Sequence, residues 1–443
     1  MLDLRQKFFL QKVKSFLDRF KKVYFKKEYD SNFYLNSYSE GIGKSLLNNF
    51  IKKKFSFNNF MNFLKEIIYG VFYSNPKILK CKKINIKNFD KMIITWAYKN
   101  QFSSSGRFKD RYTNEYTDNM PNSLWFTIYM SDELPSKIQK NIILIKPFSK
   151  SSINLFSFLK HLFFSLKNIK YGLNYFLTAL SSNAYFAQQL GLIYKKVLHS
   201  KLKLVMLFYE GQPFQNNIIR ITKKFNKKIK ILGYIHSPPL GFPSNFIKKF
   251  YSPDKIILNG NDQKKCFKNI LGWDEKDITI KPSLRFKNKK QELSSNIFLP
   301  LNFKGEKKII NFLEKIIEKK KLDLSSFKVR IHPGSINNKE HIKLKFKINN
   351  LIKSFNLNYL KKTKNLSIFI GASGALVEAL ENKVLVYHIC EDIIFEKFSS
   401  SIWNSIKVKN IFKNVYEYSL IKKNSLLKLG SDKISLEDYL KAI

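Results

Sequence analysis

The sequence predicts an α/β fold: two Rossmann-like domains facing each other, behind a helical N-terminal extension. Three observations carry this. From residue 91 onward, short β-prone apolar runs alternate with helical stretches, the pattern of a parallel sheet covered by helices on both faces. The alternation is broken by the proline- and glycine-rich stretch SPPLGFPSN (237–245), and then restarts. Residues able to do chemistry gather where the apolar runs end, as expected of a fold that binds ligands beyond the carboxyl ends of its strands. The expected division is an extension over 1–88, a first domain over 89–240 and a second over 241–443.

In chain order, residues 1–88 carry apolar side chains at helical spacing, among them Phe8, Phe9, Val13, Phe16, Leu17 and Phe20, with lysines between. They read as helices with a solvated basic face. The strands of the first domain are KMIITWAY (91–98), LWFTIYM (124–130), KNIILIKP (140–147), LKLVMLFYE (202–210) and KIKILGYIH (228–236). Polar residues fill 99–122, and helices fill 152–200 and 215–225. Past the loop come the strands KIILNG (255–260), DITIKPS (277–283), NIFLPL (296–301), FKVRIHP (327–333), LSIFIG (366–371) and KVLVYHI (383–389). Helices lie near 262–270 and over 307–320, 340–354 and 373–382. The last fifty residues read as helical.

Composition narrows the function classes. The 443 residues are 44% apolar and 15% aromatic, ample for packed cores. Lys+Arg 80 against Asp+Glu 33 gives a net charge of +47, which invites a nucleic-acid or polyanion reading. Only Arg5, Arg19, Arg107, Arg111, Arg220, Arg285 and Arg330 are arginine, however, and base or phosphate readers lean on its bidentate fork. No nucleic-acid partner is expected. Cys81, Cys266 and Cys390 are too few and too scattered for a disulfide framework or a cysteine metal site. The opening MLDLRQKFFLQKVKSFLDRF has charges throughout, unlike a signal peptide, and the uncharged run 171–194 is too polar to span a membrane. The expected location is cytoplasmic, with room for peripheral contact at the inner face of an anionic membrane.

Four strand ends carry the main candidate chemistry. In LFYEGQPF (207–214), Glu210 sits at the mouth of the sheet, where a carboxylate serves as a general base with a pKa raised by burial; a residue placed for the helix dipole is the alternative. His236 ends the next strand ahead of two prolines, as a base, an acceptor-positioning group or a structural histidine. In VRIHPGS (329–335), His332 followed by Pro333 can hydrogen-bond a departing phosphate. In IGASGALVEAL (370–380), the small residues Gly371, Ala372, Ser373 and Gly374 allow backbone amides to approach an anion, and Glu378 stands one turn further on, placed for ribose hydroxyls. An ordinary capped helix is the alternative there. Fainter signals are Gly260 after KIIL, Arg285 after DITIKPSL, and Arg107 and Arg111 in GRFKDRYTNEY (106–116). The histidines lack metal-ligand spacing, and neither a dinucleotide nor a Walker motif is present.

Four of these elements resemble a known family when taken in order. They are Trp96 with Gly106, Arg107, Asp110, Arg111 and Tyr112; Tyr209, Glu210, Gln212 and Pro213; His332 with Pro333; and Ser373 with Glu378, Ala379 and Leu380. Over residues 90–395 the chain resembles bacterial surface-carbohydrate glycosyltransferases of GT-B type, and is similar to His-Pro-motif sialyltransferases and the Kdo transferases of capsule and lipopolysaccharide assembly. The resemblance implies a metal-independent, inverting transferase without a cofactor. Its donor would be a nucleotide-sugar, with a CMP-linked nonulosonic acid or Kdo among the candidates, and its acceptor a glycan or lipid-linked glycan. By the same resemblance Glu210 is the base, His332 contacts the donor phosphate and Ser373 completes the phosphate site. Pro333, Gly371, Ala372, Gly374, Glu378, Gly260 and Arg285 fall on the donor side; His236, Gln212, Arg107 and Arg111 fall on the acceptor side. The chain departs from those families in having Gly374 after Ser373 and Tyr209 before Glu210, where paired hydroxyls or acids are common. CDP-glycerol-type polyol-phosphate transferases, which place a histidine near the interdomain loop, and sugar-nucleotide epimerases remain alternatives, with a polyanion-binding protein more remote.

Overall fold

The computed structural model describes residues 2–24, 61, 64, 76–80, 85–147, 155–167, 169–171, 173–287, 293–355, 361–362, 365–431 and 434–441. Two sheets organise them. The first contains β1 (Lys77–Lys80), β2 (Lys91–Ala97), β3 (Ser123–Tyr129), β4 (Ile142–Lys146), β5 (Leu204–Phe208), β6 (Lys230–Tyr234), β7 (Lys255–Leu258) and β8 (Ile278–Ile280). Their order across the sheet is β1-β4-β3-β2-β5-β6-β7-β8, parallel throughout except for β1 against β4. Every residue of β3 and of β5 is buried, which is why these strands read as unbroken apolar runs: helices cover both faces.

The second sheet contains β9 (Asn296–Phe298), β11 (Lys328–Arg330), β13 (Leu366–Ile370), β14 (Leu385–Ile389), β15 (Ile406–Phe412) and β16 (Val415–Leu420), in the order β11-β9-β13-β14-β16-β15. The first four are mutually parallel, and β16 and β15 form an antiparallel hairpin on the edge. A separate pair joins β10 (Leu322–Asp323) to β12 (Lys361–Lys362).

The two-sheet α/β architecture is the expected one, but it departs from expectation in three places. Strands β7 and β8 were assigned to the second domain, beyond a boundary at 240/241. They extend the first sheet instead, so the sheets change over between Ile280 and Asn296, and the 237–245 loop lies within the first sheet's run of strands. The tail is not all helical: IKVKNIF and VYEYSL are the hairpin β15–β16, turned at Asn414 with φ 71°. The N-terminal extension contributes strand β1 as well as helix; its residues 25–60 and most of 61–75 lie outside the described residues.

The helix Leu2–Tyr24 packs on the chain itself. Leu10, Val13 and Leu17 enter the main core, and Gln6 Nε2 donates to the carbonyls of Ile394 (2.7 Å) and Lys397 (2.9 Å). At the other end, residues 424–427 cross back from the second sheet to the first. Buried Glu381 accepts from the backbone amides of Asn424, Leu426 (2.9 Å) and Leu427 (3.0 Å). The helix Leu436–Leu440 then lies on the first sheet, with Tyr439 edge-on to Tyr234.

Candidate functional site

Sheet topology fixes where a site can form. The first sheet's chain order reverses at the neighbours β2 and β5, and the segments leaving their carboxyl ends diverge to leave a crevice. The segment after β2 carries Tyr98, Arg111 and Tyr112; the segment after β5 carries Glu210. The second sheet reverses in the same way about β9, beside β13, whose carboxyl end leads into Gly371–Gly374.

Glu210 is held on all sides. Its main-chain N–H donates to Gln215 Oε1 (2.9 Å) and its carbonyl accepts from Asn245 Nδ2 (2.9 Å). Gly211 has φ +70°, and a Cβ there would run into the Asn245 carbonyl, so the turn that aims Glu210 requires glycine. Lys249, itself buried, donates to the carbonyls of Gly211 (3.0 Å) and Asn245 (2.9 Å) from beneath; burial pushes its pKa down to about 7. The carboxylate accepts from Gln212 Nε2 through Oε2, and Oε1 lies 3.2 Å from His236 Nε2.

The sequence reading expected burial to raise the pKa of Glu210, and the net direction is the reverse. Burial does push it up, but hydrogen bonding and charge from His236, the Gln212 amide and the Arg111 charge together hold it below the usual carboxylate range. His236 is held down too, by burial first and then by the charges of Arg285 and Arg111 against the pull of Glu210. A neutral imidazole donating Nε2–H to an ionised carboxylate satisfies both directions. Among the described residues Nδ1 of His236 is buried without a hydrogen-bond partner, and the Tyr112 ring lies tilted against it with 4.0 Å between centroids.

Asp110 is what shapes the segment after β2. It is fully buried and accepts from Thr95 Oγ1 (2.5 Å) and from the backbone amides of Tyr112 (2.8 Å) and Thr113 (2.9 Å). That tight turn presents Arg111, whose guanidinium lies over the rings of Tyr98 (4.9 Å) and Tyr112 (4.7 Å) and donates to the Tyr112 hydroxyl. Arg285, which follows β8, reaches the same aromatic group, 5.8 Å over Tyr112. Neither guanidinium has a carboxylate hydrogen-bond partner among the described residues. The positive charge of Arg285 is felt by both His236 and His332, and Glu378 acts on it in turn. Arg285 therefore links the candidate groups of the two sheets.

His332 lies two residues past the end of β11, half-buried. Its Nδ1 accepts from the Gly334 amide (3.1 Å), which leaves the proton of the neutral ring on Nε2 as a donor. Burial and the neighbouring charges of His341 and Arg285 hold its pKa down, so it stays neutral. Ser373 Oγ makes no hydrogen bond to the described residues, and the amides of Ala372, Ser373 and Gly374 donate to no backbone carbonyl among them. Gly371, at φ +63°, packs on Pro300, and its carbonyl lies 2.8 Å from buried His388 Nε2. Gly374 abuts Pro238 of the 237–245 loop, bringing the two sheets' loops into contact.

Comparisons with known proteins add little to this geometry. No family model matches the chain, and no curated protein matches it. Among solved structures, it is similar to a glycosyltransferase from Rickettsia africae ESF-5, at 14% identity and TM-score 0.31 over 67% of this chain and 78% of that one. It is also similar to the wall teichoic acid polymerase TagF, at 12% identity and TM-score 0.31 over 77% of this chain and 76% of that one. At such scores the functional reading rests on the chain's own residues.

Two predicted site residues are not brought to the cluster. Arg107 pairs with Asp118 on the outside and lies 4.5 Å over the Tyr116 ring. Gly260 lies under the crossing segment, where a Cβ would meet the carbonyls of Ser425 and Leu426; close packing, not ligand approach, demands glycine there. Pro333 opens a single turn of 3-10 helix after His332 and is exposed. Sequence reasoning missed Tyr98, Lys249 and His388 as supporting residues. The one available signal was Tyr98 directly after a strand, the placement that singled out Glu210.

Proposed function

We propose that this protein transfers a glycosyl group from a nucleotide-activated donor to an acceptor hydroxyl. The observation that carries the reading is the convergence of Arg111 and Arg285, neither hydrogen-bonded to a carboxylate among the described residues, on Tyr112, whose ring lies against His236 of the Glu210–His236 pair. Such a site combines an ionised carboxylate that can accept a proton with cations able to hold a phosphate. Glu210, whose side chain is 20% exposed, takes the proton of the acceptor hydroxyl; His236, 2% exposed, acts through Glu210 as a positioning residue. His332 Nε2–H, Ser373 Oγ and Arg285 stabilise charge on the departing phosphate, a preorganised electrostatic role. Glu378 is assigned to the ribose. A CMP-linked nonulosonic acid or Kdo is the donor we favour, with a surface glycan as acceptor.

The placement of His236 against Glu210 also favours a second reading, a CDP-glycerol-type polyol-phosphate transferase, in which the histidine is the base. A thermal-shift screen of CMP, CDP, UDP and GDP, followed by turnover with the binding donor, tests both. A ligand of the native state raises the midpoint. We expect Glu210→Gln to retain the shift and to lose turnover by about 10²–10⁴-fold, the usual yield of general-base catalysis. Near-normal turnover in Glu210→Gln with none in His236→Gln transfers the role of base to His236. Nucleotide release without any acceptor points to an epimerase or hydrolase instead.

A further inference from the structure

The helix Leu155–Leu166 is apolar on two sides. Its inner side carries Phe158, His161, Leu162 and Ser165; His161 and Ser165 are buried, and Phe158 and Leu162 pack on the main core. Its outer side presents Phe156, Leu159, Phe163 and Leu166 at positions i, i+3, i+7 and i+10, and Ile169 and Leu173, which follow closely in sequence, are exposed as well. These six side chains are between 46% and 78% exposed. A helix apolar all round belongs in a core or in contact with an apolar phase, and a contiguous exposed patch of this kind marks a docking surface.

Charge identifies the phase. Between Glu133 and Glu210 lie 76 residues that contain 11 lysines and no carboxylate, a local segregation distinct from the general lysine excess. Lys160, Lys167 and Lys170 are exposed along the apolar patch itself, and Lys167 Nζ lies 4.5 Å over the Phe163 ring. Phenylalanine and leucine flanked by lysine are the two components of interfacial binding: apolar side chains enter the acyl boundary while ammonium groups meet anionic headgroups. No helix among the described residues is long and apolar enough to cross a membrane, so the helix would lie in the interface. We propose that the Leu155–Leu173 face docks this protein on an anionic lipid surface. The inference stands independently of the transferase reading.

Co-sedimentation of the full chain with vesicles tests it. On phosphatidylcholine–phosphatidylglycerol vesicles the protein should pellet, less so as salt rises, and on phosphatidylcholine alone it should stay in solution. Phe156→Ser combined with Phe163→Ser should weaken binding by at least about tenfold, given the area the two rings bury. Because both side chains point outward, the far-UV circular dichroism of this variant should match the wild type. Lys160→Glu with Lys167→Glu leaves the apolar patch intact and should also abolish binding to anionic vesicles. Unchanged binding in either variant, or equal binding to neutral vesicles, overturns the proposal. So does a wild-type dimer in sedimentation velocity that the phenylalanine variant dissolves without any effect of lipid, since the face would then be a protein interface.

Discussion

At the scale of single residues, Glu210 and His236 are informative because their environments were misjudged in one respect and well placed in another. The position of Glu210 at a strand mouth was legible, since an apolar run that meets Glu-Gly-Gln-Pro must end there. Its protonation was not, because that depends on His236, 26 positions away in sequence and 3.2 Å away in space. The direction of the shift predicts a pH profile. A base must be ionised, and a carboxyl held below its usual range stays ionised as pH falls through that range. The acid limb of turnover should therefore lie low in the wild type. His236→Leu removes the donor and should move the limb up by about one pH unit, the value of one hydrogen bond to a charged group. His236→Gln, whose amide can donate in its place, should restore much of the wild-type limb. A limb that is the same in all three proteins would remove His236 from the role of positioning Glu210.

At the scale of elements, the turn Glu210–Gln212 shows how far a backbone conformation can specify a site. Gly211→Ala forces a β-carbon into the left-handed region and against the Asn245 carbonyl. We expect a loss of about 2 kcal/mol in urea denaturation, with turnover falling more than stability alone explains, because the turn also aims Glu210. A stable variant of undiminished turnover would show that the turn is not what orients the carboxylate. Elements with their own periodicity were the most legible. The helices Glu306–Lys320 and Lys339–Ser354 and the strand Leu366–Ile370 fall within a residue of their expected limits. The hairpin β15–β16 was missed although IKVK alternates with period two and Asn414 supplies a turn, since lysine-rich stretches of this chain read equally well as helix. Partner choice was not legible at all. KIIL and ITI look alike as strands of either sheet, and only the pairing of KIIL on β6 and of ITI on KIIL assigns them to the first.

At the scale of the whole molecule, the two sheets are tied by a segment whose anchor is a single buried carboxylate. Glu381 satisfies three consecutive-region amides of residues 424–427, and Gln263 Nε2 donates to the Leu426 carbonyl (2.7 Å) from the first sheet's side. Beyond this crossing, Leu436, Tyr439 and Leu440 complete the core beneath β6, so the end of the chain contributes to the half of the molecule where the chain begins its first sheet. The arrangement adds a polar tie to sheets that already share the main core, where Val205 and Ile231 of the first sheet belong to the same buried cluster as Val386 and Tyr418 of the second. Removing the anchor leaves buried amides without an acceptor, a larger penalty than the loss of one exposed hydrogen bond. Glu381→Ala should accordingly lower unfolding stability by about 3 kcal/mol, while Glu381→Gln, which keeps one carbonyl acceptor, should lose about half as much. Because the crossing couples the sheets, fluorescence and circular dichroism should cease to report a single coincident transition in Glu381→Ala. Coincident transitions at the wild-type midpoint would mean that the crossing segment follows the packing of the two sheets without joining them.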